Sequence, residues 1–282
     1  ASFYSCPTTG SIKYVANFFK NAISVYVGKF SGQSPCGQIA SPWLSGPEGL
    51  YVQAATHDLF VANQYGRNIL VFHRGAVDPY DMYYDPTGQV PIEVTVAPDG
   101  TVLASNITNV WQNLGGSIST WIAGPNGGTF VGNFPETNSS QGAFIAVKKN
   151  GTVYFDDVDQ SMLQGFVWTT SCPAGVCGDQ TRVAGVVLHH PGGIAFDKTG
   201  DLLATDEYAA TADTFELPNP VPSTFPMAAI SFDMVLGTGD RSIFTANPLL
   251  NEAFEYSYPS GTLVGTVSGL PGGGVDGIAV DP

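Results

Sequence analysis

The 282 residues could form two average domains or one large all-β domain, and a net charge of −14 argues against nucleic acid or an anionic membrane as partner. Only 12% of the residues are charged, so uncharged polar side chains and tyrosine must cover much of the surface. No apolar run approaches the roughly 18 residues that a membrane-spanning helix needs.

One pattern recurs along the chain: an apolar strand, an Asp-x-x-Gly turn, a second apolar strand, and then an amide or acidic residue. Its template is PGGIAFDKTGDLLATDEY, residues 191–208. Residues 91–108 and 142–159 match the template without gaps. Residues 47–65 and 227–249 match it with a longer turn between the two strands. Each match is followed by a third strand with alternating aromatic and β-branched residues, and then by a more variable fourth strand. A repeat of four strands is typical of β-propellers.

The two ends of the chain supply the parts of one further unit. Residues 10–19 match a second strand without a first, and residues 275–282 match a first strand without a second. Joined, they give the turn D-P-T-G, which is equivalent to D-K-T-G in the template. The chain is therefore predicted to be an all-β, six-bladed propeller in a single domain, 1–282, with four-stranded antiparallel blades and a first blade shared by 275–282 and 10–40. A pair of β-sandwiches, the alternative, would need a linker near the middle.

Four cysteines and a low lysine content favour two disulfides in an oxidising compartment, and hence a secreted, extracellular or periplasmic protein. Cys172 and Cys177 are close in sequence, so we predict that they close a tight hairpin loop. Residues 1–8 are surplus to the shared blade and must overhang it. A Cys6–Cys36 bridge would pin this overhang to the blade that closes the ring. Four buried free thiols are the alternative.

Two rings of residues are predicted at one mouth of the central channel, because strand one begins where the antiparallel strand two ends. At the second position of strand one the six units carry Asp276, Glu48, Ile92, Ala143, Gly192 and Ala228. At the end of strand two they carry Asn17, Asn63, Asn106, Asp157, Asp206 and Asn247. The preference of Asn and Asp for turns also explains members of the second ring.

Glu48 and Asp276 are the two acids of the first ring, and they fall in adjacent blades. With the amide oxygens of Asn17 and Asn63 from the same blades, they form a hard-oxygen set suited to Ca²⁺ or Mg²⁺. Two solvated acids at a wet channel mouth are the alternative. His190 precedes strand one of the fifth blade and approaches the same mouth, where a base or a ligand could act.

Aromatic residues near the same mouth offer a stacking surface for a sugar or a peptide. Trp111 lies in the longest insertion at the mouth, residues 107–117. Four more aromatic residues stand close to the ring positions, and they are Phe18, Phe19, Tyr65 and Tyr208. The sequence contains no G-x-S-x-G motif, Walker motif or dinucleotide-binding fingerprint, so no nucleophile or phosphate site is indicated by motif.

The repeated pattern P-x-G-I-A-x-D-x-x-G-x-L resembles the NHL-repeat propellers and, over nearly the whole chain, the senescence-marker-protein/gluconolactonase family. In that family a Glu in a strand-one E-G motif and an Asp in D-G-[IM]-A-V-D bind a divalent cation. Glu48 in PEGL and Asp276 in VDGIAVD match these motifs, so the resemblance implies a catalytic metal centre. Such a metal would polarise an ester carbonyl while an acid positions or deprotonates water. The family also takes an Asn from another strand-one position, which this chain lacks.

Two functions are consistent with the sequence. We expect a secreted, monomeric binding or scaffold protein that holds a small molecule, a glycan or a protein at the channel mouth, with no nucleic acid and no membrane span. The alternative is a divalent-metal-dependent hydrolase of lactones or esters that uses Glu48 and Asp276, and a lyase is a more distant third. No cofactor other than Ca²⁺ or Mg²⁺ is indicated.

Overall fold

The computed structural model describes residues 1–7, 9–109, 114–137, 139–159, 164–217, 222–270 and 274–282. Six antiparallel sheets, the blades, are arranged as a ring, and hydrogen bonds join neighbouring strands within each blade. The described residues contain almost no helix: two single-turn 3₁₀ helices span Phe18–Lys20 and Pro173–Gly175. The fold is a six-bladed β-propeller, as the repeats predict.

Blade 1 receives strands from both ends of the chain: β1 (Phe3–Tyr4), β2 (Ile12–Asn17), β3 (Ala22–Val27), β4 (Gly37–Ile39) and β25 (Val275–Asp281). Blade 2 contains β5 (Pro47–Gln53), β6 (Asp58–Asn63), β7 (Asn68–Phe72) and β8 (Asp81–Tyr84). Blade 3 contains β9 (Pro91–Val96), β10 (Thr101–Asn109), β11 (Leu114–Ile122) and β12 (Thr129–Pro135).

Blade 4 contains β13 (Ser139–Val147), β14 (Thr152–Asp159), β15 (Gly165–Ser171) and β16 (Thr181–Leu188). Blade 5 contains β17 (Pro191–Phe196), β18 (Leu202–Asp206), β19 (Thr211–Phe215) and β20 (Pro222–Pro226). Blade 6 contains β21 (Asp233–Leu236), β22 (Ser242–Asn247), β23 (Glu252–Ser257) and β24 (Leu263–Val267). In every blade the first strand lies nearest the channel, and β25 has that place in blade 1.

The strands close to the centre of the ring, such as the second strand β2, are buried on both sides because the blades pack against one another face to face. All six residues of β2 are buried, including Lys13, whose ammonium group donates a hydrogen bond of 2.7 Å to a backbone carbonyl. One core cluster joins Tyr14 and Ile23 of blade 1 to Val61 and Leu70 of blade 2. Apolar burial stabilises a fold by roughly 25 cal/mol per Å², so these contacts between blades stabilise the ring.

The C-terminal strand closes the ring, which confirms the prediction of a shared blade. β25 pairs with β2 in an antiparallel register that runs from Asp281 opposite Ile12 to Val275 opposite Asn17. Each blade therefore has a sequence neighbour or a ring partner on both sides. A closed ring also leaves no blade face uncovered, which removes a surface that would otherwise invite association.

Both predicted disulfides are present. Cys6–Cys36 fixes the N-terminal segment to blade 1, where β1 pairs with β4 at the outer edge of the sheet. Cys172–Cys177 closes the loop that follows β15. Disulfides persist in oxidising compartments, so the pair is compatible with an extracellular location. No helix among the described residues is long and apolar enough to cross a membrane.

Asp281, at the end of β25, is a fully buried carboxylate that ties the closing strand to blade 2. Its Oδ2 lies 2.9 Å from Arg74 Nη1, and its Oδ1 lies 2.6 Å from His57 Nδ1. Arg74 also donates a hydrogen bond to the carbonyl oxygen of Gly10, just before β2. Because a guanidinium group stays charged at every physiological pH, Arg74 is a permanent clamp between the two blades.

Replacing Arg74 by Met is expected to lower the free energy of unfolding by about 3–5 kcal/mol, because the change leaves a buried carboxylate without its permanent cation. Urea-induced unfolding at neutral pH measures the loss. Arg67→Met is the matched control, since Arg67 is exposed and donates a long hydrogen bond of 3.5 Å to the carbonyl oxygen of Gly88. Adding Asp281→Asn to Arg74→Met should restore part of the stability. An Arg74→Met protein as stable as the parent would contradict the clamp.

The strand-one register of blade 6 differs from the predicted one by four residues. The pairing of β21 with β22 makes Met234 equivalent to Ile194 of the template strand in blade 5. Phe232 therefore stands at the second position of strand one, and the prediction that placed Ala228 there is wrong. The turn of this blade is longer, so the sequence allows two matches. Aligning the Thr-Gly-Asp turns, 238–240 with 199–201, comes within one residue of the observed register.

Candidate functional site

The channel mouth is built from the first residues of the inner strands. Glu48 on β5 and Asp276 on β25 occupy equivalent positions of adjacent blades. The two strands come very close there: a Cβ atom placed on Gly277 would lie 1.8 Å from the carbonyl oxygen of Glu48. A residue without a side chain is therefore required at position 277, and the two acids are held on neighbouring walls of the mouth.

A third acid, Glu207 in the turn after β18, is near enough to Glu48 and Asp276 for its charge to raise the pKa of both, and we call these three residues the acid well. Burial raises the pKa of Glu48 well above its ordinary value of 4.5, and the nearby Asp276 carboxylate raises it further. Burial raises the pKa of Asp276 to about 7, and the Glu207 charge adds to this effect. Glu207 directly follows the second-ring residue Asp206 and is not among the site residues predicted from sequence.

His190 lies at the mouth and pairs with Glu207. Its Nδ1 is 2.9 Å from Glu207 Oε2, and this contact raises the pKa of the imidazole. The ring of Tyr208 packs on the imidazole, with the ring centroids 4.7 Å apart. The neighbouring His189 is exposed and contacts the carboxylate of Asp206 instead. Of the two histidines, His190 is the one that the structure brings to the acid well.

The second ring holds the links between blades in place. Asn63 accepts a hydrogen bond of 2.6 Å from the Ser45 N–H and donates one of 3.0 Å to the Trp43 carbonyl oxygen. Asp206 and Asn247 bond the link before their own blade in the same way. These side chains therefore position the start of strand one, which is where the mouth residues stand.

The structure brings two of the four predicted metal ligands together in the acid well. Gln64 donates a hydrogen bond of 2.5 Å to Glu48 Oε2, and the Asn63 oxygen is bonded to backbone. Asn17 is buried at the end of β2. Within the described ranges, no group of three or more His, Cys, Asp and Glu side chains is arranged to hold a metal ion. Binding of Ca²⁺ or Mg²⁺ by Glu48, Asp276, Asn17 and Asn63 stays a prediction.

Three further buried carboxyl groups are not among the residues predicted from sequence. Glu93 and Asp233 lie on the inner strands β9 and β21, and Asp156 lies on β14, the second strand of blade 4. Each accepts a hydrogen bond of 2.7 or 2.8 Å from a strand-one N–H group. These bonds satisfy strand-one N–H groups. The N–H of Phe144 lies at the bulge of β13 between Gly142 and Ile145, where pairing with β14 is interrupted. Burial raises the pKa of all three carboxyl groups.

Aromatic rings fill the part of the channel between blades 4 and 6. Phe144 and Phe232 meet edge to face with their centroids 5.4 Å apart. Phe144 belongs to β13 of blade 4, and Phe232 directly precedes β21 of blade 6. A cavity of about 200 Å³ runs along the inner strands, with Glu93 and Asp233 in a largely apolar lining. Polar chemistry is thus concentrated on the side of the mouth that carries the acid well.

An arc of exposed apolar side chains borders the mouth on four consecutive blades. In blades 5, 6, 1 and 2 a four-residue turn follows strand two, and the second residues of these turns are Tyr208, Leu249, Phe19 and Tyr65. We call these four residues the apolar rim, and they are 64–74% exposed. The fourth residue of each turn has a positive φ of 50–56°, so the four turns share one geometry. Trp111, also predicted at this mouth, lies outside the described residues.

A buried ring supports two members of the apolar rim. The Phe18 centroid lies 4.9 Å from that of Tyr65 and 5.1 Å from that of Phe19, and both contacts are edge to face. Such aromatic contacts stabilise by about 0.5–1.5 kcal/mol each beyond their buried area. The rim rings of blades 1 and 2 are therefore held in place although their outer faces are exposed to solvent.

Comparisons with known proteins establish the fold. No protein-family model and no curated protein matches the chain. Among solved structures it is similar to a chain of a nidogen/laminin complex, at 12% identity and a TM-score of 0.75, over 97% of this chain and 99% of that one. It is also similar to a functionally unknown protein from Desulfotomaculum acetoxidans DSM 771, at 13% identity and a TM-score of 0.63, over 96% and 98% of the two chains.

A third similar structure is a protein of unknown function from Bacteroides caccae, at 13% identity and a TM-score of 0.65, over 96% of this chain and 99% of that one. Identities this low show the architecture alone and carry no activity across. The resemblance of the repeats to gluconolactonases has no matching family model behind it. What the comparisons and the strand pairing establish together is a six-bladed β-propeller.

Proposed function

We propose that this protein is a secreted binding protein that recognises another protein through the propeller face around the channel mouth. The apolar rim carries this proposal, because an exposed apolar residue recurs at the same turn position in four consecutive blades. Soluble monomers rarely expose contiguous apolar patches larger than a few hundred Å². Tyrosine and phenylalanine are also enriched in the cores of protein interfaces. Recurrence in register separates the rim from apolar residues scattered singly over the surface.

The negative charge of this protein favours a partner that presents basic residues. The acid well lies inside the arc of the apolar rim, and the whole chain carries a net charge of −14. Complementary charge speeds the encounter of two proteins and selects against acidic partners. A segment that combines basic and apolar side chains would match both parts of this face.

The structural comparisons support a protein as the class of ligand. The similar chain with the highest TM-score of the three belongs to a complex of nidogen and laminin, which is an assembly between proteins. Propeller faces suit this task because their turns can vary while the blades stay fixed. The two disulfides are compatible with work outside the cell.

Selection of a displayed random-peptide library on the immobilised protein tests the proposal. Peptides enriched on the parent protein are expected to bind Tyr65→Ser/Tyr208→Ser roughly 10- to 100-fold more weakly, because truncating interface aromatics typically costs more than 1 kcal/mol each. Val176→Ser is the matched control, since Val176 is 57% exposed in the disulfide loop on the opposite rim. Peptides that bind the double variant as tightly as the parent would exclude the apolar rim as the recognition surface.

A metal-dependent hydrolase of lactones or esters is the second candidate, because Glu48 and Asp276 lie together at the mouth. Its catalysis would need a divalent cation there to polarise the substrate carbonyl. A screen of lactones and esters in the presence of Ca²⁺ separates the two functions. Turnover that Glu48→Gln abolishes would favour the hydrolase, and absence of turnover with every substrate would favour the binding protein.

A further inference from the structure

The acid well gathers three acidic side chains around one histidine. Glu48 and Asp276 stand side by side, and Glu207 acts on both, since its charge raises the pKa of each. His190 is the basic group that contacts the well, and it is paired with Glu207. The imidazole pairs with one acid, so burial favours the protonated forms of Glu48 and Asp276 until a cation approaches them. The well therefore suits a cation that comes from another molecule.

Asp276 is the member of the well without a donor of its own. The residue is only 9% exposed, and no other residue in the described part of the chain donates a hydrogen bond to it or forms an ion pair with it. Glu48, by contrast, accepts a hydrogen bond from Gln64, and Glu207 contacts His190. Buried polar groups are normally hydrogen-bonded. The Asp276 carboxyl group is largely buried but its oxygens are open to the mouth, so a ligand that enters there can supply the donor.

Aromatic rings of the apolar rim border the well. A Cβ atom placed on Gly274 would lie 3.1 Å from Asp276 Oδ2 and 2.9 Å from the ring of Phe19, so the carboxylate and the ring flank the same spot. On the other side, Tyr208 packs on His190. Carboxylates beside aromatic faces are the surroundings that alkylammonium and guanidinium groups prefer, because charge attraction and cation–π contact act together.

We propose that the acid well binds a lysine or arginine side chain of the partner, an inference that rests on the protein-binding function proposed above. The cationic group donates hydrogen bonds to Asp276 and Glu48, and the aliphatic stem lies against Phe19. A metal ion needs several oxygens that converge at about 2.3–2.6 Å, and no cluster of three or more acidic, histidine or cysteine side chains meets this need among the described residues. A group with several N–H donors bridges separate carboxylates without such convergence.

Titration of the full chain with small amides tests the inference. The probes are the Nα-acetyl methylamides of lysine and arginine, and the norleucine analogue is the neutral control of similar length. Amide chemical shifts of the protein should change saturably with both basic probes and not with the norleucine probe. Asp276→Asn should weaken binding roughly 10- to 100-fold through loss of charge-assisted hydrogen bonds. Asp179→Asn, which removes an exposed acid far from the mouth, should leave the affinity unchanged.

Binding of the basic probes should tighten as the pH rises from 6 to 8. Burial holds the pKa of Asp276 at about 7, and only the ionised carboxylate attracts a cation, so binding releases protons. The other titratable groups around Asp276 are Glu48, Glu207, His190 and Asp233. Ionisation of the acids and loss of charge from His190 act in the same direction. The pH dependence should therefore shrink in Asp276→Asn without vanishing.

Each remaining outcome decides between proposals. Equal binding of the norleucine probe, no binding of the basic probes, or an unchanged affinity in a folded Asp276→Asn protein would overturn the inference. Calcium binding that Asp276→Asn abolishes, without binding of either basic probe, would show a metal site instead. Library peptides that lose affinity for the Tyr65→Ser/Tyr208→Ser variant but contain no Lys or Arg would contradict the acid-well inference and still support protein binding. Peptides that ignore the rim would sink the proposed function itself.

Discussion

A chain without residues 275–282 is expected to lose cooperative thermal unfolding altogether. The deletion removes β25, the inner strand of blade 1, and with it the antiparallel pairing that joins β25 to β2. It also exposes the inner edge of β2 and the apolar sides of blades 6 and 2, which pack on β25. Calorimetry and circular dichroism of the truncated protein measure the effect.

The size of this effect follows from what β25 buries. Val275 and Ile278 are fully buried, and each side chain of this kind stabilises a fold by roughly 1.5–3 kcal/mol. The buried Asp281 pair with Arg74 is lost as well. Together these losses approach the whole stability of an ordinary domain, about 5–15 kcal/mol. Deletion of residues 1–4 is the control, because it removes only an outer-edge strand and keeps Cys6; similar melting of both truncated chains would contradict the ring closure.

The protein is expected to be markedly more stable at pH 5 than at pH 8. Burial raises the pKa of Asp157, Asp233 and Asp276 from an ordinary 3.8 to about 7. Between these values the folded state binds more protons than the unfolded chain, so stability falls as the pH rises. The stabilising effect is complete below the unfolded pKa and is lost as the pH rises through the folded pKa. One such group corresponds to roughly 4 kcal/mol.

Urea midpoints measured from pH 4 to pH 9 check this expectation. Asp276→Asn is the informative variant, because its amide has nearly the same shape and does not titrate. The variant should lose less stability between pH 5 and pH 8 than the parent does. Below pH 4 the trend should reverse, since hydrogen bonds hold the pKa of Asp197 and Asp206 below their ordinary values. A parent protein that gains stability from pH 5 to pH 8 would contradict the buried, protonated carboxyl groups.

The propeller could be predicted because its signals are local. The Asp-x-x-Gly turn, the two apolar strands and the terminal amide or acid lie within one short stretch, and that stretch recurs. The shared blade followed from the same turn divided between the ends of the chain. The predicted strand one of blade 6 is wrong because the turn of this blade is longer. The apolar residues just before the true strand therefore also fit the template. Only the pairing of Met234 with Thr245 decides the register.

The buried carboxyl groups could not be predicted from the pattern of strands. Asp156 bonds the N–H of Phe144 because β13 bulges between Gly142 and Ile145, which frees that N–H from its pairing with β14. No residue in the sequence marks the bulge. Glu207, by contrast, directly follows Asp206 of the second ring. A list of the residues that follow each second-ring position would have included it. The apolar rim could also have been predicted, because each of its residues stands two positions after a second-ring residue.

Closure of the ring by β25 also sets the order of folding. Blades 2 to 6 are each continuous in sequence, so each can assemble from contacts between near neighbours. Blade 1 cannot, because Ile12 and Asp281 pair across almost the entire chain. Contacts so distant in sequence form slowly, since a long loop must close before they stabilise anything. During synthesis blade 1 therefore stays incomplete until β25 has left the ribosome and can pair with β2.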